Sequence, residues 1–181
     1  EILILFRKIL STSFLLIGLI SLVEAEPIGE IVEQKGYAGL QRDGATTIIS
    51  ATLLPEVLIY DTAQTQNGRM KIRFQGNEEL DLTEHSKVWI DEVYYDPDPS
   101  LSKMSLRMAQ GTARFASGFG GKIRKANIDI RTPTATIAVR GTDFTTSIDE
   151  LGRSLVILLP DKWGAPSGEV VVFNAGGTVV L

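Results

Sequence analysis

The stretch Ile123–Ile148, IRKANIDIRTPTATIAVRGTDFTTSI, decides the fold that this sequence predicts. Apolar and polar residues alternate on both sides of Pro133, and the alternation begins again at Phe144, which is the two-residue period of half-buried strands. Pro133 lacks a backbone donor, so a hydrogen-bonded ladder must break or reach an edge there. Gly141 can adopt a positive φ and turn the chain sharply. The sequence therefore predicts a strand, a proline break, a second strand, a glycine corner and a third strand.

The order of residues within this stretch resembles the signature of the FecR domain. Thr132-Pro133 is followed by a short apolar strand, then by Arg140-Gly141-Thr142, one variable residue and the aromatic Phe144. The resemblance is strongest over residues 111–148 and extends more weakly to about residues 28–173. The combination and its spacing carry the resemblance, because an Arg-Gly-Thr triplet alone would mean little.

The resemblance implies a location and a kind of function. FecR-like domains sit outside the inner membrane, and in the regulators that name the family they couple an outer-membrane iron-siderophore receptor to a cytoplasmic sigma factor. Those regulators carry a cytoplasmic anti-sigma segment before a membrane helix, whereas only eight residues precede the apolar run of this sequence. We therefore expect an exported FecR-like domain that does not itself hold a sigma factor.

The remaining sequence predicts an all-β fold. Most predicted strands are short and are separated by turn signals such as Asn67-Gly68, a spacing typical of a sandwich, a barrel or a solenoid. Leu101–Phe115 fits both helical and strand spacing, and we interpret it as a strand. The clearest alternation is at Arg69–Phe74, whose three outward cations we interpret as a solvated edge strand that opposes aggregation. We predict a β-solenoid-like or β-sandwich core.

Residues 1–25 predict a secretory signal peptide. Arg7 and Lys8 precede Ile9–Val23, a run without a charge, and Ala25 supplies a small residue for cleavage. The run is shorter than the about 20 residues that a helix needs to span a bilayer, and an uncleaved N-terminal anchor is the alternative. We expect residues 26–181 to form the FecR-like domain, truncated at its C-terminus, and to be periplasmic or secreted.

Composition excludes several classes of function. The formal net charge is −4, whereas nucleic-acid-binding domains usually show a basic footprint. The chain has no polybasic run that would hold it on anionic lipid. It contains no cysteine, which excludes thiol chemistry, thiolate zinc sites and disulfides.

Catalytic and metal sites receive little support. The only histidine, His85, lies in a polar turn, and a triad with Ser86 and Asp91 conflicts with the opposite directions of adjacent strand residues. Oxygen ligands for calcium occur in one acidic stretch that includes Asp96 and Asp98, but their spacing matches no EF-hand loop. We predict a non-enzymatic protein without a metal or an organic cofactor.

Two classes of function stay open. The first is a binding and sensing module of the bacterial envelope, linked by resemblance to protein–protein interaction and signalling. The second is a structural envelope, surface or appendage protein that assembles through its β-edges. In both, the expected partner is another envelope protein.

Two hypotheses compete for the role of Arg140. In the structural hypothesis its several donors tie neighbouring strands or loop carbonyls together beside the Gly141 corner. In the functional hypothesis it is an exposed anchor for a partner or an anionic ligand. We favour the structural hypothesis, because core-patterned strands flank the corner on both sides.

Export can be tested by the mass of the product. Because the uncharged run is short for a membrane span, we predict cleavage after Ala25 and a soluble product that begins at Glu26. Intact-mass analysis of the exported protein measures this. A product found in the membrane fraction with Ile9–Val23 still attached would contradict the prediction.

Overall fold

The computed structural model describes residues 25–42, 45, 47–116, 122–124, 127–141, 143–161, 163–165 and 168–181. Within them the chain forms one short 3-10 turn, Ala51–Leu53, and thirteen strands. The strands are β1 (Gly29–Gln41), β2 (Ile48–Ser50), β3 (Glu56–Val57), β4 (Thr62–Phe74), β5 (Glu79–Leu82), β6 (Lys87–Tyr94), β7 (Lys103–Ala116), β8 (Ile128–Arg131), β9 (Thr136–Arg140), β10 (Phe144–Ile148), β11 (Ser154–Leu158), β12 (Glu169–Asn174) and β13 (Gly177–Val180). No helix in this described part is long and apolar enough to cross a membrane. Residues 1–24 of the predicted signal peptide and Thr142 of the signature lie outside the described residues, as does Asp43-Gly44, a dipeptide that is a hairpin-turn signal in the sequence.

Three long strands, β1, β4 and β7, organise the sheet, because each pairs with different neighbours along its length. β1 runs antiparallel to β4 over almost all of its residues. β4 pairs with β6 at its start and with β5 near its end. β7 lies between β6 and β8 in its first half and between β5 and β10 in its second half. The long strands therefore pass through two different sets of neighbours.

These neighbours define two half-sheets. The first contains β6, β8, β9, β12 and β13 with the starts of β4 and β7, and the second contains β5, β10 and β11 with their ends. One apolar cluster draws on both, including Leu106 and Ile137 from the first and Ile72 and Phe115 from the second. The fold is a β-sandwich whose long strands cross from one layer to the other.

The structure confirms the all-β prediction and distinguishes between its two forms. Every pairing between described strands is antiparallel except β7 with β8. A solenoid of parallel rungs would repeat that parallel pairing along the chain. The antiparallel pairing therefore matches the sandwich.

Two local predictions about β4 are wrong and one about β7 is confirmed. Asn67-Gly68 is not a turn: it lies inside β4, where Gly68 pairs with Gly36 of β1. β4 is not an edge strand either, because β1 covers one side and β5 and β6 the other. Its inward residues Met70, Ile72 and Phe74 are buried, as the alternation predicts. Leu101–Phe115 contains β7, so the strand interpretation is correct.

Gly111 lies where β7 changes neighbours. Its φ is 89°, a region that side-chain-bearing residues rarely adopt. A Cβ there would lie 2.7 Å from the carbonyl oxygen of His85 and would also overlap Ser86. Ser86 Oγ donates to the carbonyl oxygen of Thr112 and accepts from its amide, each at 3.0 Å. The bend of β7 and the turn before β6 are therefore packed backbone against backbone.

The turn between β4 and β5 buries a carboxyl group. Glu78 is fully buried, and its Oε2 accepts a hydrogen bond of 3.2 Å from the hydroxyl of Tyr95. Within the described residues its Oε1 has no hydrogen-bond partner. Burial raises the pKa of Glu78, and nearby backbone amides, the Tyr95 hydroxyl and the charge of Lys122 only partly oppose this. Burial also raises the pKa of Tyr95.

Substitution of Gly111 tests the close packing at the bend. Gly111→Ala should destabilise the protein by backbone strain and by contact with Ser86. Gly164 is a matched control, because it has a φ of 85° but nothing lies within 4 Å of its Cβ position. Gly164→Ala should cost about 1–2 kcal/mol from backbone strain alone, and Gly111→Ala should cost a further 1–3 kcal/mol or so from overpacking. Denaturant unfolding measures both, and equal losses would contradict the packing argument.

Substitution of Glu78 tests the buried carboxyl group. Because the pKa of Glu78 is raised in the folded state, its contribution to stability is present below the unfolded pKa and is lost as the pH rises through the folded pKa. Glu78→Gln keeps the shape without the charge. It should raise the free energy of unfolding at pH 7 by about 1–3 kcal/mol, because the ionised form of the buried carboxyl group no longer has to be desolvated.

The pH dependence provides the control for this substitution. The advantage of Glu78→Gln over the wild type should shrink as the pH falls towards 4, where the wild-type carboxyl group is protonated. The exposed carboxylate of Glu92 serves for comparison, and Glu92→Gln should change stability little at either pH. A gain from Glu78→Gln that did not change with pH would count against ionisation as its cause.

Candidate functional site

The first part of the FecR-like signature is the turn that joins β8 to β9. Thr132 Oγ1 accepts a hydrogen bond of 3.0 Å from the amide of Ala135 and lies 2.6 Å from Ser154 Oγ. Thr134 Oγ1 lies 2.8 Å from the same Ser154 hydroxyl and donates to the carbonyl oxygen of Gly152 at 3.1 Å. Ser154 begins β11, so these hydroxyl groups attach a turn of the first half-sheet to the second.

Pro133 occupies the exposed tip of that turn. It lies between β8 and β9, outside both strands, so its missing donor interrupts no ladder. The strand break that the sequence predicted at Pro133 is therefore present. A Cβ added to Gly152 would be 3.6 Å from Pro133 Cβ, which places the two turns side by side.

The second part of the signature is the corner after β9. Arg140 ends β9 in the first half-sheet, Gly141 follows with a φ of 94°, and β10 begins in the second half-sheet at Phe144. Gly168 approaches this corner so closely that a Cβ there would lie 2.7 Å from the carbonyl oxygen of Gly141. The corner is thus a crossover between the layers, with a second glycine packed against its backbone.

Arg140 connects two strands through an exposed ion pair. Its Nη1 lies 2.8 Å from Glu169 Oε1, and Glu169 is directly opposite it in the β9–β12 pairing. The side chains are 59% and 41% exposed. The pair connects the neighbouring strands β9 and β12, and its acceptor is a surface carboxylate rather than a loop carbonyl. An exposed ion pair of this kind contributes about 0–1 kcal/mol to stability. Because Glu169 is itself on the surface, the loss of Arg140 should leave no buried acceptor unpaired.

Phe144 belongs to the core. It is fully buried, and its ring centroid lies 5.8 Å from that of Phe115 on the neighbouring β7. The residue before it is on the surface, where Asp143 Oδ2 accepts a hydrogen bond of 2.9 Å from Arg114 Nη2. The signature therefore combines a core anchor with a surface of charged pairs.

A ladder of alternating charges crosses the outer face of the second half-sheet. Lys71 is opposite both Glu33 and Asp81, with its Nζ 3.1 Å from Glu33 Oε1 and 3.8 Å from Asp81 Oδ1. The hydrogen bond with Glu33 raises the pKa of Lys71. Burial raises the pKa of Asp81, and the charge of Lys71 opposes it. Arg73 likewise bonds Glu79 at 3.0 Å. Two of the three outward cations of β4 are thus occupied by the protein's own carboxylates.

β11 forms an edge of the second half-sheet. In the described part of the chain it pairs with β10 alone. The outward side chains of Leu155 and Ile157 are 58% and 48% exposed. Two more large apolar residues near its ends, Leu151 and Trp163, are 77% and 78% exposed. Exposed apolar side chains are thus concentrated around one strand edge, a pattern typical of interaction surfaces.

The hydrogen-bonding pattern identifies the groups at this edge. The amide of Leu159 donates to Asp143 at 2.9 Å and the amide of Asp149 donates to Arg153 at 3.1 Å. Hydrogen-bonded pairs alternate with non-bonded pairs in an antiparallel ladder, so Leu155 and Ile157 bond β10. The backbone groups of the intervening residues, Val156 and Leu158, therefore point away from the sheet.

The catalytic and metal candidates of the sequence are not assembled into sites. The Ser86 hydroxyl is engaged with Thr112, and His85 is an exposed turn residue with a φ of 54°. Asp96 Oδ1 and Asp98 Oδ1 each accept an amide two residues ahead, within their own loop. No group of three or more potential metal ligands occurs among the described residues.

Sequence reasoning located β11 but missed its position at an edge. The apolar run Leu155–Leu159 is typical of a strand, and β11 lies at Ser154–Leu158. Which strands lie beside it depends on pairing between distant segments, which alternation alone does not encode. The run itself gave no such signal, because a strand that is apolar on both faces is ordinarily typical of a fully buried one.

The sequence model of one protein family, described as FecR protein, matches residues 61–160. No curated protein and no solved structure matches the chain. The matched range contains β4 to β11, and so includes the signature turn, the Gly141 corner and the β11 edge. FecR is a family of regulatory and sensing domains that is not known for enzymatic activity. Since the match covers more than half of the 181 residues, this chain belongs to the FecR family.

Proposed function

We propose that this protein is a non-enzymatic binding and sensing module of the bacterial cell envelope, and that it binds an extended segment of another envelope protein along β11. The coarse function follows from the family, whose members act in signalling and sensing. The exported location is supported by the typical periplasmic position of FecR domains. The strand-binding mode is supported by the β11 edge.

The observation that carries the proposal is that one strand combines apolar side chains with outward backbone groups that pair with no described strand. Val156 and Leu158 direct their amides and carbonyls outward, where an added strand could pair with them. The neighbouring residues Leu155 and Ile157 expose apolar side chains that the same added strand would cover. Proteins usually protect an exposed strand edge with charged side chains, a proline or a bulge. β11 itself contains none of these.

The geometry defines the partner by its chemistry. A strand beside β11 would place alternate side chains against the exposed Leu155 and Ile157, and the others against the half-buried Val156 and Leu158. The fitting segment is therefore extended and apolar on both faces over about four or five residues. Trp163 follows β11 in the sequence, is exposed, and is of a residue type that often dominates binding energy.

Site-specific crosslinking tests this function. A photoreactive amino acid introduced at Ile157 should give an adduct with one envelope protein, through an extended apolar segment of that partner. Leu53 provides the matched control, because it is 75% exposed and lies in the 3-10 turn, away from β11. Mass spectrometry of the adducts identifies both the partner and its segment. Equal adducts from Ile157 and Leu53 would contradict a defined docking edge.

A proline substitution separates strand addition from simple apolar contact. Val156→Pro removes an outward amide but leaves the ladder to β10, whereas Val156→Ala keeps the amide. We expect Val156→Pro to reduce the crosslink yield at least tenfold, and Val156→Ala to change it by less than about threefold. If only copies of the same chain are crosslinked, the protein instead fits the structural class that assembles through its edges.

A further inference from the structure

A second surface, separate from β11, carries an unmatched pair of cations. Lys35 of β1 and Arg69 of β4 are directly opposite each other in the antiparallel pairing, so their side chains leave the same face of the sheet. Two pairs further along, on the same face, the same strands bring Lys71 against Glu33. Neither Lys35 nor Arg69 makes an ion pair within the described residues. Directly opposed like charges are unfavourable in a sheet, so this pair lowers the stability of the free protein.

These two cations lie on the wall of the largest of the described cavities. It has a volume of about 520 Å³ and is lined by Lys35, Gly36, Asn67, Gly68, Arg69, Thr83 and Glu84. Its size is within the range typical of small-molecule sites. Gly36 and Gly68 contribute only backbone to the lining, because glycine has no side chain. The two strands approach closely at this pair, where a Cβ on Gly36 would lie 2.8 Å from Gly68 Cα. Backbone and polar side chains therefore line the cavity beside the two cations.

The lining defines the class of ligand. An ammonium and a guanidinium group on the same side of a cavity provide charge-assisted donors for a carboxylate or a phosphate. Glu84 and Asn67 add acceptors, which hydroxyl groups on the same ligand can donate to. We propose that this cavity binds a small hydroxylated anion, such as a sugar acid or a sugar phosphate, with its anionic group between Lys35 and Arg69.

A flat anionic surface fits this site less well than a small ligand. The chain carries a net charge of −4, and the carboxylates of Glu33, Asp81 and Glu84 lie around the two cations. These carboxylates would repel a membrane rich in anionic lipid, whereas a small anion can enter the cavity between them. The site therefore selects a soluble anion.

Binding assays with defined probes test the proposal. Glucuronate carries a carboxylate on a hydroxylated ring, glucose 6-phosphate carries a phosphate, and glucose is the neutral counterpart. Titration calorimetry of the wild type should show saturable binding of at least one of the two anions and none of glucose. If neither anion binds at a concentration of about 10 mM, the proposal is overturned. Inorganic phosphate that binds as tightly as glucose 6-phosphate would overturn the role of the hydroxyl groups.

Matched variants assign binding to the cavity. Lys35→Gln and Arg69→Gln should each weaken binding at least tenfold, because each removes a charge-assisted contact. Lys71→Gln removes a cation from the same strand face, but one that is already paired, and should leave the affinity within about threefold of the wild type. Equal losses in all three variants would indicate a general effect of charge and contradict the assignment.

Stability and lipid measurements complete the test. Thermal unfolding of free Lys35→Gln should have a midpoint no lower than that of the wild type, because one of two opposed charges is removed. The anion should raise the wild-type midpoint but not that of the variant. Binding to phosphatidylglycerol vesicles without binding to either small anion would overturn the proposal in favour of a membrane surface. None of these results depends on β11, so they are distinguishable from a failure of the proposed function.

Discussion

The structure depends on continuous strands that pass from one layer of the sandwich to the other. β1, β4 and β7 continue through the bend, so the backbone of three strands connects the two half-sheets covalently. This requires positions where a strand can turn without a side chain. Gly111 meets the requirement in β7, and the Gly36–Gly68 pair meets it between β1 and β4. The apolar faces of both half-sheets can then cover one core.

The FecR signature provides a second set of connections between the same layers. The hydroxyl groups of Thr132 and Thr134 attach the β8–β9 turn to Ser154, and the Gly141 corner carries the chain from β9 into β10. Phe144 then anchors β10 in the core beside Phe115. The signature residues are thus explained by two structural roles: they let the chain cross from one layer to the other, and they pack the strand that follows into the core. Arg140 is the exception, because its pair with Glu169 is on the surface.

How well the sequence predicted each feature depends on whether the interactions that determine it are local or join residues that are distant in the sequence. Alternation is local, so the inward residues of β4 and the strands around Pro133 were predictable. Asn67-Gly68 was misread as a turn because the dipeptide signal is also local, whereas its place in β4 depends on the pairing with β1. The partner of Arg140 and the burial of Glu78 depend on residues distant in the sequence or on layer packing. That Lys35 and Arg69 lie opposite each other depends on the register between β1 and β4, which the sequence alone did not predict.

The outer face of the second half-sheet changes chemically from one end to the other. At the β1 end are Lys35 and Arg69, and next to them the ladder in which Lys71 is matched by its neighbours. Further across, the hydroxyl groups of Thr112 and Ser147 lie 2.8 Å apart.

Beyond these hydroxyl groups the face ends at the apolar side chains of β11, since Ser147 pairs with Leu155. With neighbouring strands about 4.8 Å apart, the five steps from β1 to β11 separate the two ends by roughly 24 Å. A small anion and an extended apolar segment are recognised by different forces, charge and desolvation respectively. The two proposed sites therefore differ in chemistry as well as in position, and the ion-paired ladder lies between them.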